Sequence, residues 1–336
     1  MAVAGLYNGD TAKWTPGNLT IHKAATLRLN VGGPGEFTGE QVGTLLGNLT
    51  RAVSDNGLMG GSFVSLDTAN ATEPVTIAAD LTYSHGPGGG SFLLRKCGPG
   101  AMRLSGNNSH TGRTILESGT LIVSSLNSFG AGARKTSSSL GVPMDIEVGE
   151  IVIGEEGKDG DCSLIYTGTG ETSDRVMNLA GRKSTVTFEH AGTGPLKLTS
   201  GILISGYGHN KTLTLTGDSA GTGEIAGTIA NPHDRTGKAT TSLIKSGTGK
   251  WVLSGTNTFT GTTTVTHGTL ALAHARSLSA GTELTIAGGA TVGLEFKGQL
   301  SIRKLTLAGK PQPPGPCDAT RAPGFLKGPG VLIVQP

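Results

Sequence analysis

Short runs of alternating apolar and polar residues recur along the whole chain, and glycine bounds most of them. Alternation with period two puts the apolar side chains on one face of a β-strand. It predicts strands over 146–153, Ser184–His190, Leu196–Ser200, Leu213–Leu215 and Val331–Val334. One segment has a different period. Thr38-Gly39-Glu40-Gln41 has the form of a capping box, and Val42, Leu45, Leu46, Leu49 and Val53 follow at helical spacing. With Asn56-Gly57 as a stop, this predicts a short N-terminal amphipathic helix over residues 38–55, about four turns long. Packed on the strands, it would cover an exposed sheet edge. A docking helix for a partner is the alternative.

The strands also repeat. Residues 96–123 and 245–272 align without a gap, and 13 of the 28 positions are identical. The shared frame is K-x-G-x-G-x-x-x-L-S-G-x-N-x-x-T-G-x-T-x-x-x-x-G-T-L. A shorter echo links Leu19–Leu27 with Leu284–Val292. Each long repeat reads as strand, turn, strand, turn, strand. Met102 and Leu104, or Trp251 and Leu253, fill the core positions. Gly106-Asn107-Asn108 and Gly255-Thr256-Asn257 supply turns, because glycine and asparagine tolerate positive φ. One such unit buries too little apolar surface to fold alone, whereas stacked units share a continuous core. The fold class expected is therefore all-β, a single β-solenoid domain over residues 1–336 with rungs of roughly 20–25 residues. Threonine and asparagine at equivalent positions would form side-chain ladders along the stack. A β-sandwich is the structural alternative. The Pro/Gly-rich terminal segment, residues 310–336, lacks the donors that a ladder needs. Its stretch Lys310–Gly330 reads as a turn-rich excursion before the last strand.

Composition narrows the function classes. Glycine makes up 56 of 336 residues and aromatics only 4%, which does not suit a compact α/β enzyme. Apolar residues at 35% are too many for a disordered tail. The 27 Lys+Arg nearly balance the 24 Asp+Glu and are scattered singly, so no nucleic-acid partner is expected. Cys97, Cys162 and Cys317 form neither a disulfide framework nor a CxxC metal motif. They read as incidental small side chains, with one pairing open in an oxidising compartment. No apolar stretch is long enough for a membrane-spanning helix. Met1–Asp10 has no basic region followed by an apolar one, so no signal peptide is expected in this chain. Either an export leader is missing or the chain is a piece of a longer protein.

The frame KSGTGKWVLSGTNTFTGTTTVTHGTLAL closely resembles the autotransporter-associated β-strand repeat, also called the passenger-associated transport repeat. Residues 154–180, 213–229 and 319–334, and the early stretch Trp14–Gly60, resemble the long repeat-bearing surface proteins of planctomycetes and verrucomicrobia. The resemblance implies a right-handed parallel β-helix that is secreted or displayed on the bacterial cell surface. It carries over no catalytic residues. The autotransporter pattern also has a C-terminal membrane barrel, which would need several strands of about ten alternating residues and is not expected within this sequence.

Residues that could carry chemistry are few. Gly217-Asp218-Ser219-Ala220-Gly221 fits the nucleophile elbow G-x-S-x-G, but this glycine content produces such matches by chance, and turn and strand follow it instead of a helix. His190 and His267 lie in alternating strands and His233 in a loop, so none reads as a base. Glu150, Glu155, Glu156, Asp159 and Asp161 could supply carboxylates to calcium, but they lack the EF-hand spacing and read as a solvated acidic turn. His110 and Phe259, equivalent in the repeat, are expected to stack against neighbouring rungs. No catalytic, cofactor-binding or metal residues, and no cofactor, are expected. The function expected is a non-catalytic structural or adhesion-type scaffold, with cell-surface glycans or other surface proteins as partners. The alternatives are a carbohydrate-active β-helix or a glycan-binding module. A cleft lined by two or more Asp/Glu beside Arg175 or Arg182 would favour the enzyme, and none is expected.

Overall fold

The computed structural model describes residues 1–51, 54–128, 136–143, 149–182, 184–205 and 208–336. Among them the fold is all-β, with mostly parallel strands, a single α-helix and no closed barrel. The chain divides into two compact units. The first comprises Met1–Glu155, Cys162–Ile165 and Asp174–Val176; the second comprises Glu156–Asp161, Tyr166–Ser173 and Met177–Pro336.

In the first unit, Thr26–Asn30, Phe63–Asp67, Leu93–Cys97, Thr114–Leu116 and Ile151–Ile153 pair in parallel, in that order. Val75–Ile77, Ala101–Leu104 and Gly119–Val123 form a second parallel set. In the second unit, Ser184–His190, Lys211–Thr216, Thr241–Lys245, Thr263–Val265, Glu283–Ile286 and Lys304–Leu307 pair the same way. So do Glu171–Ser173, Leu196–Leu198, Thr222–Ile225, Lys250–Leu253, Thr269–Leu272, Thr291–Leu294 and Leu326–Lys327. Alternation does here what the pattern requires. Val186, Phe188, Leu213, Leu215, Leu243, Val265, Leu284, Ile286 and Leu305 are buried, and each contributes roughly 1.5–3 kcal/mol. Trp251 is also buried, its ring 5.4 Å from that of Phe188, and its indole N–H donates to the Thr216 carbonyl (2.9 Å).

Several expectations change. Ser184–His190 and Val331–Val334 keep their bounds; Leu213–Leu215 lengthens to Lys211–Thr216, and Leu196–Ser200 ends at Leu198. Of the run 146–153, residues 146–148 lie outside the described residues, and the strand is Ile151–Ile153. The rungs are far less uniform than 20–25 residues. Ala101 pairs with Thr120, 19 positions on, whereas Thr26 pairs with Phe63, 37 positions on. Loops between strands can lengthen at little entropic cost, so pairing survives insertions. Each long repeat holds three complete strands, as read, and begins on the end of a fourth, so that it folds over two rungs: Thr241–Lys245 stacks on Thr263–Val265, and Lys250–Leu253 on Thr269–Leu272. Gly106 and Gly255 do not adopt positive φ. They are needed because a Cβ would sit 2.2 Å from the Ala79 carbonyl oxygen and 2.1 Å from that of Gly227. The left-handed corners fall instead on Gly98 and Gly119, and on Gly247 and Gly268. The shorter echo is structural as well, with Ala24 (φ 63°) and Gly289 (φ 84°) at matching corners.

The helix α1, Gly39–Leu49, is shorter than expected. The capping box forms as read: Thr38 accepts from the Gln41 N–H, and the Gln41 side chain accepts from the Thr38 N–H. Val42, Leu45, Leu46 and Leu49 are buried, while Val53 lies outside the described residues. The helix stops at Thr50, whose hydroxyl turns back to the Gly47 carbonyl, while the Leu49 carbonyl is taken by the N–H of Leu58. It packs on Val75–Ile77, the last strand of its sheet, and so covers an edge. The Pro/Gly-rich segment differs from expectation too. Lys310–Pro311 and Gly315–Cys317 form short antiparallel pairings, against Thr306–Leu307 and Leu332–Val334.

Candidate functional site

The most organised polar groups of the repeats face inward. Lys96 and Lys245 open the two copies of the frame and are buried. The Lys96 ammonium donates to the carbonyls of Cys97 (3.0 Å), Gly98 (2.6 Å) and Ser118 (2.9 Å). The Lys245 ammonium does the same to Ser246 (2.6 Å), Gly247 (2.8 Å) and His267 (3.2 Å). Each therefore fills its three donors and ties one rung to the next. Lys211 is a third case, donating to the carbonyls of Gly181 and Arg182. Burial lowers the pKa of all three to about 8.

Asn108 and Asn257 act as brackets. The Asn257 carbonyl oxygen accepts from the Ile229 N–H (2.8 Å) and its amide donates to the Ser277 carbonyl (2.8 Å). Asn108 makes the same pair of bonds, to Leu81 (2.8 Å) and Ser139 (2.7 Å). The expected asparagine ladder is thus replaced by bonds to backbone on both sides. The frame marked both residue types as shared, but nothing in it distinguishes a buried clasp from a surface lysine.

The candidate catalytic groups do not converge. The Ser219 hydroxyl donates to the backbone carbonyl of His190 (3.0 Å), not to its ring. The His190 ring is consumed by its own turn: Nδ1 accepts from Gly192 N–H (3.1 Å), leaving Nε2 to donate to the Gly194 carbonyl (2.9 Å). The strand Thr222–Ile225 follows Ser219, where an elbow needs a helix. His267 sits in an exposed turn instead of a strand, and His233 lies in a loop as expected. His110 is buried with its ring 5.4 Å from Phe92, nearly parallel, and Phe259 is buried at the matching position. Cys97, Cys162 and Cys317 are buried free thiols; the Cys97 thiol donates to the Glu117 carboxylate (3.0 Å), and burial raises its pKa to about 12.

The acidic run is dispersed among separate tasks. Glu150 lies 3.8 Å from Arg113, Asp159 forms a two-pronged pair with Arg182 (3.0 and 3.2 Å), and Asp161 accepts from the Thr185 N–H (2.9 Å). Among the described residues no three His, Cys, Asp or Glu side chains come together. Arg175 is buried and donates to the carbonyls of Gly149 (2.5 Å) and Leu126 (3.3 Å).

A cleft with two carboxylates exists, without the arginine that the enzyme reading calls for. It lies in the second unit, has a volume of about 640 Å³, and is lined by Asp161, His209, Asn210, Thr212, Asp234 and Lys238 among others. Neither Arg175 nor Arg182 lines it. Asp234 accepts from the N–H groups of Thr236 (3.0 Å), Lys238 (2.9 Å) and Ala239 (3.1 Å) and from the Thr236 hydroxyl (2.5 Å). These donors hold its pKa well below the usual carboxylate range. A general acid for glycoside cleavage needs the opposite shift. Sequence spacing could not bring these residues together, because Asp161 and Asp234 are separated by two intervening rungs.

The mostly parallel strands are of the kind that a β-helix stacks. Residues 94–123 and 243–272 match the Passenger-associated-transport-repeat, so the chain carries two copies of it. The chain is also similar to the adhesin BmaC autotransporter of Brucella suis biovar 1 (strain 1330), 38% identical over 113 residues. That stretch is 33% of this chain and only 3% of that protein's length. No solved structure matches. No helix among the described residues is long and apolar enough to cross a membrane.

Proposed function

We propose that this chain is a non-catalytic, adhesion-type scaffold, secreted or displayed on a bacterial surface, that meets cell-surface glycans or other surface proteins. The observation carrying this reading is the pair of repeats clasped by the same buried Lys and Asn, together with the likeness to an adhesin. Their polar groups are spent on backbone, which suits a rigid support. We further propose that the coil is right-handed, as parallel crossovers overwhelmingly are, and that residues 1–336 behave as one domain. No residue is assigned to catalysis, a cofactor or a metal.

The test is display of the chain on a non-adherent bacterium and a count of cells retained on glycoprotein-coated and epithelial surfaces. Retention above the empty display vector is expected; equal retention would overturn the reading. A second reading, a polysaccharide-cleaving β-helix, draws on the two aspartates in the cleft. Reducing-end release from a polysaccharide panel tests it, and none is expected.

A further inference from the structure

We propose that the cleft in the second unit binds a short neutral oligosaccharide; this rests on the adhesive reading and names the ligand class of that site. Three corners build the cleft, Asp161, Gly208–Asn210 before the strand Lys211–Thr216, and Asp234–Ala239 before Thr241–Lys245, and Thr185 of the strand Ser184–His190 lines it between the first two. Their backbone is pinned in advance. Asp234 gathers four donors from its own loop, Asn210 accepts from the N–H (2.9 Å) and hydroxyl (3.4 Å) of Thr240, and Asp161 accepts from Thr185. A site ordered before binding loses less entropy when the ligand arrives.

The cleft stays open where the corners turn. Gly208 and Gly237 have positive φ (68° and 65°), and nothing lies within 4 Å of the point a Cβ would occupy. The groups left to face a ligand are the Lys238 ammonium, the His209 ring, the Thr212 hydroxyl and the second Asp161 carboxylate oxygen. Among the described residues, none of these has a hydrogen-bond or ion-pair partner within the protein. They mix donors with acceptors, and with Asp234 the cleft wall carries one lysine ammonium and two carboxylates. A polyanion would meet Asp161, and an apolar ligand would strand these polar groups. A sugar hydroxyl, which both donates and accepts, satisfies each of them. The volume lies within the range of small-ligand pockets, about 300–1,000 Å³, and holds roughly two or three sugar rings.

The experiment probes the full chain with an array of neutral di- to tetrasaccharides and a matched set of sulfated and uronic-acid glycans. Isothermal titration calorimetry follows on any oligosaccharide that binds. Wild type is expected to bind at least one neutral oligosaccharide. Thr212→Trp, which fills the cleft from the strand, is expected to weaken it by about tenfold or more. Thr264→Trp, on another strand of the same sheet and outside the cleft, should leave it unchanged. If Thr212→Trp does not fold by circular dichroism, the double variant His209→Ala/Lys238→Ala gives the same readout from two side chains that make no hydrogen bond or ion pair among the described residues. No binding, binding restricted to the acidic glycans, or binding indifferent to the folded cleft variants would each overturn the proposal. Cells displaying a folded cleft variant that still adhere like wild type would overturn this inference and leave the adhesive reading standing. Oligosaccharide binding by a chain that confers no adhesion would do the reverse.

Discussion

Replacing His110 by phenylalanine should remove a cost that the native protein carries in acid. His110 is fully buried against Phe92, and neither of its ring nitrogens has a hydrogen-bond partner among the described residues. Burial first, then the Arg175 guanidinium, pushes its pKa down from 6.5 to about 4. An unfolded chain takes up the proton near pH 6.5. Between pH 6.5 and about 4 the unfolded state therefore binds a proton that the native state refuses, and stability falls as the pH drops through that window. The full difference of about 2.5 pKa units corresponds to roughly 3.4 kcal/mol, of which about 2.4 kcal/mol is lost between pH 7 and pH 4.5. Phe259 fills the matching position in the other repeat and is fully buried, so the site accepts a phenyl ring. Urea unfolding of wild type and His110→Phe at pH 7 and pH 4.5 measures the effect. The carboxylates titrate alike in both proteins, so the change in their stability difference isolates His110. The variant should gain about 2.4 kcal/mol relative to wild type on acidification. Parallel pH dependences, with a change below about 0.5 kcal/mol, would refute a neutral buried imidazole.

Asn257→Ala strips a partner from the Ile229 N–H and the Ser277 carbonyl, both buried in the rung contacts. A loss of about 2–4 kcal/mol is expected and can be read from the urea midpoint. Lys245→Met leaves three carbonyls bare and should lower stability at pH 7.5. Because Lys245 titrates at about 8 in the native protein and 10.5 when unfolded, the unfolded state binds the extra proton between those values. Wild type should gain on the variant as pH rises from 8 to 10, which paired unfolding curves at the two pH values would detect. Within α1, Gly47→Ala meets no atom within 4 Å and should raise stability by about 0.5–1 kcal/mol. Gly43→Ala places its Cβ 2.5 Å from that of Ala79 and should lower the melting temperature instead.

The sequence by itself determined what depends on neighbours a few positions away. Strand residues alternate because successive side chains point to opposite faces, so Ser184–His190 and Val331–Val334 were legible to the residue. The capping box closes within four residues, and so the start of α1 was equally plain. Self-similarity exposed the repeats, and with them the need to stack. The end of α1 was not legible, since it depends on Leu58 returning to the Leu49 carbonyl. The tertiary structure alone decided which residues become neighbours across rungs, because that register follows loop lengths that vary from one rung to the next. It turned Lys96 and Lys245 inward as clasps, and showed Gly255 as a contact with the Gly227 carbonyl where a turn was expected. It also gathered Asp161, His209 and Lys238 around one cleft. Burial and carbonyl geometry exist only once the coils lie on one another, and no local pattern encodes the distance between them.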